Sequence, residues 1–177
     1  VVTRTIIGLN IISKEYRDGF GQVVKQIAPT GEVTDYTYDG AGQQTKIALT
    51  PPAGSSNMTV QERTFTYDVL GRMTSKSEPE TGTQQFSQFN YLNQPGLIQE
   101  GVVGSTATRS RSVVFDGLGR LRKVSGGSDS LSYVYSGPDI TSATNTHGSE
   151  VTTQSYLYWS DPAKGKRLWR EVLQTYG

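Results

Sequence analysis

Cysteine is absent from this chain, and histidine is represented by His147 alone. Without thiols there are no disulfides and no thiolate metal sites, and an oxidising compartment is permitted without being required. A lone imidazole gives a metal no partners, and as a catalytic base it would need an ordered nucleophile beside it. Its setting, Thr146-His147-Gly148-Ser149, reads as a loop. Long apolar runs are missing too. Nothing approaches the ~20 residues of a spanning helix, and no charged-then-apolar signal segment opens the chain. Charge of one sign is also scarce: 17 basic against 16 acidic residues leave a net charge of +1. That balance offers no electrostatic footprint for nucleic acid or for an anionic membrane. Gly-x-Ser-x-Gly, His-Glu-x-x-His and phosphate-loop motifs do not occur. No catalytic residue, metal ligand or cofactor site is therefore expected.

What is present points to many short strands. Hydrophobic residues make up only 34% of the 177, while aromatics reach 10% and glycines number 20. Gly-rich turns between aromatic strands give that profile more readily than helices do. Prolines 29, 51, 52, 79 and 95 fall in lead-ins and turns, where they block helix continuation. The clearest unit is Phe65-Thr66-Tyr67-Asp68-Val69-Leu70-Gly71-Arg72-Met73. Phe65 and Tyr67 alternate with Thr64 and Thr66 between two faces, as a strand requires. The Asp68 carboxylate can accept backbone N–H groups just ahead of it, and Gly71 tolerates the positive φ that suits a bulge into the returning strand.

The unit recurs. Its turns align as Asp18 to Gly21, Asp39 to Gly42, Asp68 to Gly71, Asn93 to Gly96 and Asp116 to Gly119, at steps of about 21 to 29 residues. An aromatic-x-aromatic pair marks the strands: Tyr36/Tyr38, Phe65/Tyr67, Phe89/Tyr91, Tyr133/Tyr135 and Tyr156/Tyr158, with Phe115 behind the aliphatic Val113. Tyr16 and Tyr176 read as outer, weaker copies. The segment Tyr91-Leu92-Asn93 has one residue more between aromatic and turn than Tyr38-Asp39 has, which predicts a bulge or a shifted register in that copy. Such periods denote a repeat architecture in which each unit buries its apolar face against its neighbours.

The motif Tyr-Asp-x-x-Gly-Arg with an upstream aromatic resembles the YD repeat of the RHS (rearrangement hotspot) family. It is carried by Tyr67 to Met73, Phe115 to Leu121 and Tyr38 to Gly42, with the lead-in Pro29-Thr30-Gly31. The likeness runs over most of the chain and weakens after about residue 135, where Ser136-Gly137-Pro138-Asp139 replaces the usual turn. It implies an all-β fold of repetitive antiparallel hairpins forming a curved sheet, one segment of a β-shell. Residues 1–177 are then a single repeat domain and, since both ends lie in repeat-like sequence, a part of a longer protein. By the same resemblance the chain is non-enzymatic, secreted or on a bacterial cell surface. Its implied partners are the remaining repeats of the parent and a C-terminal toxin or effector.

Other features have plainer readings. Gly40-Ala41-Gly42 and Gly117-Leu118-Gly119 lie between strands, with no helix N-terminus to hold a pyrophosphate. The turn aspartates stand singly, whereas calcium takes ~6–8 converging oxygens. Asp161-Pro162-Ala163-Lys164-Gly165 resembles the motif closing RHS cores, but an extra residue before the glycine favours a plain turn. Asn57-Met58-Thr59 is a glycosylation sequon by pattern. Lys166 to Gln174 places Leu168, Trp169 and Val172 on one helical face, while the repeat argues for strand. A rival function is also open: an aromatic ladder among Thr, Ser, Gln and Asn is a surface for stacking sugars, so a carbohydrate-binding or adhesive module competes with the wall. Burial of the ladder discriminates them. Open sheet edges finally predict that the isolated chain either curls to cover its apolar face or pairs edge to edge with another copy, with self-association favoured.

Overall fold

The computed structural model describes residues 2–6, 11–55, 58–104, 106–158 and 168–176, and backbone only for a few of these. All regular structure in them is antiparallel strand. The chain divides into two compact units, Val1–Gln85 and Phe86–Gly177. The first holds β1 (Val2–Ile6), β2 (Ile11–Arg17), β3 (Val23–Ile27), β4 (Val33–Tyr38), β5 (Gln44–Thr50), β6 (Gln61–Tyr67), β7 (Met73–Glu78) and the paired part of β8 (Gly82–Ser87). The second holds β9 (Leu97–Glu100), β10 (Arg109–Phe115), β11 (Leu121–Gly126), β12 (Asp129–Ser136), β13 (Asp139–His147), β14 (Glu150–Tyr158) and β15 (Leu168–Tyr176). In both units each strand pairs with its neighbours in sequence, so each is a meander. The segment that offers a helical face between Lys166 and Gln174 is strand from Leu168 on.

The turns form by local chemistry. At Asp68 the carboxylate Oδ1 accepts the Leu70 N–H at 2.9 Å and the Arg72 N–H at 3.0 Å. The Gly71 N–H donates to the Asp68 carbonyl, and the Asp68 N–H to the Arg72 carbonyl, both at 2.9 Å. Gly71 takes φ 79° and is the extra residue of a bulged turn. The same bonds recur at Asp18, Asp39 and Asp116. A second bulge follows on the returning strand. Tyr67 pairs with Met73 but Thr66 with Ser75, which leaves Thr74 unopposed, and equivalent shifts follow Tyr16, Thr37, Val114, Val134 and Leu157. Threonine suits this position because its hydroxyl can reach across the hairpin. Thr74 Oγ1 meets Thr66 Oγ1 at 3.0 Å, and the Thr45 and Thr141 hydroxyls donate to the Thr37 and Val134 carbonyls at 3.2 Å.

The Asn93–Gly96 turn expected from the sequence is not formed. The turn sits three residues earlier, from Asn90 to Asn93. Asn90 Oδ1 accepts the Leu92 and Gln94 N–H groups at 2.9 and 3.0 Å, the Asn93 N–H donates to the Asn90 carbonyl, and Asn93 itself takes φ 62°. Asparagine does here what aspartate and glycine do elsewhere, since its short amide accepts the same bonds and it tolerates the left-handed region. Gly96 instead donates to the Ser87 and Gln88 carbonyls at 3.1 Å, and a Cβ there would lie 2.8 Å from the Gln88 oxygen. Its smallness serves close backbone approach, not a turn. Phe89 consequently precedes the turn outside any strand, and Tyr91 lies within it. The extra residue after Tyr91 reflects this displacement and not a bulge. Tyr16 is also no copy of Tyr38: it pairs with Lys25, and Arg17 holds the matching register opposite Val23.

No described residue is fully buried. Apolar surface is covered sideways, by cross-strand neighbours worth about 0.2–1 kcal/mol per pair. Phe65 and Tyr67 are half-buried with Arg63 on one face of β6, while Thr64 and Thr66 are exposed on the other. Strand β10 repeats this pattern with Arg111, Val113 and Phe115. Asn57 of the sequon and the Asp161–Gly165 motif lie outside the described residues.

Candidate functional site at the turns

The turn residues do more than close their own hairpins. At the first two turns of the first unit, Asp18 and Asp39, the residue four places on is glutamine, and its amide reaches the next turn. Gln22 Nε2 donates to the Gly42 carbonyl at 2.9 Å, and Gln43 Nε2 to the Gly71 carbonyl at 3.0 Å. In the second unit Gln94 Nε2 donates to the Gly119 carbonyl at 2.8 Å, and Arg120 Nη1 to the Gly137 carbonyl. The positive φ of these glycines turns the carbonyl outward, where a side chain from the preceding hairpin can meet it. Turn and stitch are thus one device.

In four of the pairs the second aromatic makes the reciprocal bond. Its hydroxyl donates to a carbonyl on the returning strand of the preceding hairpin: Tyr38 to Val23 at 2.8 Å, Tyr67 to Gln44 at 2.9 Å, Tyr135 to Leu121 at 2.8 Å and Tyr158 to Ile140 at 2.9 Å. Val23, Gln44 and Leu121 follow a bulged turn, and Ile140 follows the two-residue turn between Ser136 and Asp139. Phe115 holds the same register without a hydroxyl. Of the first aromatics, Tyr36 donates to Gln26 Oε1 at 2.9 Å. Burial, helped by Tyr38 and Glu15, pushes its phenol pKa up. The ladder residues Tyr36, Tyr38, Phe65, Tyr67, Phe89, Phe115, Tyr133, Tyr135, Tyr156 and Tyr158 are half-buried. Tyr91 is 72% exposed on its turn, where its hydroxyl meets the Gly117 carbonyl.

Electrostatics reinforce two of the turns. Arg72 Nε and Nη2 lie 2.7 and 2.6 Å from Asp68 Oδ2, and Arg120 grips Asp116 Oδ2 at the same distances. The Arg72 side chain is the main cause holding the Asp68 pKa below the usual carboxylate range. At Asp116 burial works against the shift, and the Arg120 backbone and guanidinium hydrogen bonds outweigh it, so that pKa is lowered too. Arg120 also stacks 4.2 Å above the Tyr135 ring, which ties one turn to the next hairpin. Among the described residues no group of three metal-ligating side chains converges. His147 Nδ1 faces Asp129 Oδ1 at 2.7 Å across neighbouring strands, an exposed pair.

The alternating aromatics and Asp-x-x-Gly turns are legible in the sequence. The stitch is not, because glutamine in Gln22, Gln43 and Gln94 reads as ordinary surface. Its signal is positional: a long donor always follows the turn residue by four.

Comparison with known proteins agrees with this architecture. Residues 17–56 match the family model for the RHS Repeat. No curated protein matches the chain. Among solved structures the chain is similar to part of the Photorhabdus luminescens Tc holotoxin pore, with a TM-score of 0.72, 16% identity and 93% of this chain covered. It is similar also to part of the TcdB2-TccC3-Cdc42 crystal structure, with a TM-score of 0.70, 15% identity and 93% coverage. A third likeness is to TcdB2-TccC3, with a TM-score of 0.66, 17% identity and 92% coverage. The chain spans only 9 to 10% of the length of these solved chains.

Proposed function

We propose that this chain is a non-enzymatic wall segment of a larger RHS-type β-shell, in which residues 1–177 form one continuous repeat array. The parent polypeptide encloses or presents a C-terminal toxin or effector and is secreted or held at a bacterial surface. The partners of the segment are the repeats on either side of it and that effector. The observation that carries this reading is the stitching of neighbouring hairpins within each unit by Gln or Arg at the turn and by tyrosine hydroxyls in the strands. Such bonds serve lateral continuity, and a sheet without a fully buried residue needs continuity for stability.

The same bonds disfavour the carbohydrate-binding reading. A stacking platform needs exposed rings with free polar tips, whereas the ladder is half-buried and four of its hydroxyls are spent on backbone carbonyls. Protease mapping of the whole parent polypeptide tests the wall. Its C-terminal region should resist cleavage while this segment is intact and become sensitive when the segment is deleted. Equal sensitivity in both forms would reject an enclosing role.

A further inference from the structure

The turn at Asp39 lacks a guanidinium that two other turns possess. Where Arg72 and Arg120 follow Asp68 and Asp116 by four residues, the carboxylate Oδ2 is occupied. After Asp39 the same position is Gln43, whose amide is committed to Gly71. Asp39 Oδ1 accepts the Ala41 and Gln43 N–H groups at 2.9 Å, and among the described residues no side chain bonds its Oδ2. On the adjoining turn Phe20 is 94% exposed. Its counterparts in the other turns are Ala41, Leu70, Leu92 and Leu118, so this is the one aromatic at that position. Phe20, Gln22, Asp39 and residues 40–42 line a shallow depression of about 430 Å³.

We propose that this depression is a docking site for an arginine side chain carried by a partner protein. The polar side-chain atoms it offers are acceptors, Asp39 Oδ2 and Gln22 Oε1, because Gln22 Nε2 is bound to Gly42. An acceptor pair beside an exposed ring suits a planar cation with several donors and an apolar stem. The molecule makes both halves of this contact elsewhere: a guanidinium on the turn carboxylate at Asp68 and Asp116, and a guanidinium over an aromatic ring at Tyr135. At Asp39 the carboxylate and the ring are in place and the cation is external. Asp18, on the Phe20 turn, adds negative charge. The nearby Arg17 does not compete, since Glu15 holds it at 2.5 Å and the Gly21 carbonyl at 2.6 Å.

The test is a nuclear magnetic resonance titration of the full chain with N-acetyl-arginine methylamide, using its citrulline analogue as the neutral isostere. Arginine should produce saturable shifts confined to the amides of Phe20, Ala41 and Gly42, and citrulline should not. Phe20→Ala should weaken the arginine response about two- to fivefold, the range expected of an exposed cation–π contact, and Asp39→Asn should weaken it by up to about fivefold, the range of an exposed ion pair. Asp39→Asn leaves the turn intact, because Asn90 forms the same turn with an amide. Equal shifts from citrulline, or an unchanged response in Asp39→Asn, would overturn the site. Stronger shifts at the same amides from an oligosaccharide would replace the arginine reading with a carbohydrate one.

Discussion

Gly119 separates two reasons for which a turn demands glycine. It takes φ 77°, which costs an alanine about 1–2 kcal/mol in backbone strain. It also lies beneath the neighbouring turn: a Cβ at Gly119 would stand 2.4 Å from Leu92 Cδ1 and 3.3 Å from Gln94 Oε1. Gly148, in the same unit, takes φ 58° with nothing within 4 Å of its would-be Cβ. Gly148→Ala should therefore lose the strain alone, about 1–2 kcal/mol. Gly119→Ala should lose that and about 0.5–1.5 kcal/mol more, because Leu92 must leave its rotamer or the turns must part. Leu92→Ala removes the obstruction, so the double variant should be more stable than the sum of the two single losses implies, by about that steric amount. Urea unfolding followed by far-ultraviolet circular dichroism measures each term, with slopes compared first to show that the same structure unfolds. Equal losses at Gly119 and Gly148, or strict additivity with Leu92→Ala, would refute the idea that turns interlock.

Three further outcomes are expected. Tyr67→Phe deletes the hydroxyl that meets the Gln44 carbonyl at 2.9 Å, and should cost about 1 kcal/mol of unfolding free energy; no change would remove the hydroxyl from the stitch. Gln44 holds a register that is apolar in Val23, Met73, Leu121 and Ile140, and its enclosed Nε2 has no described partner. Gln44→Met should therefore raise the urea midpoint by the equivalent of about 1 kcal/mol, and a lowered midpoint would count against it. The lowered pKa values of Asp68, Asp116 and Glu78 mean that the unfolded chain binds more protons as pH falls through the carboxylate range. Their contribution is present above the ordinary carboxylate pKa values and is lost as pH drops through the lowered ones. Asp68→Asn with Asp116→Asn should flatten the acid limb of a stability-against-pH curve, and an unaltered limb would disprove that origin.

Local chemistry decided much of this protein. An aspartate followed three residues later by glycine closes a turn whatever surrounds it, because all the bonds lie within five residues and the glycine supplies the positive φ. Alternating aromatics likewise fix which face of each strand is apolar. Where two local solutions compete, sequence alone does not choose between them. Asn90 to Asn93 and Asn93 to Gly96 both carry turn chemistry, and Pro95-Gly96 is the stronger signal by residue type. The earlier turn forms where Gln94 reaches the Gly119 carbonyl, Leu92 covers Gly119, and Gly96 is left to pair with Ser87 and Gln88. The stitch itself has the same character. Nothing in the types of Gln22 or Gln43 announces a partner 20 or 28 residues away. Their role exists only once neighbouring hairpins lie side by side, because only then does a turned-out glycine carbonyl come within reach of a long amide side chain.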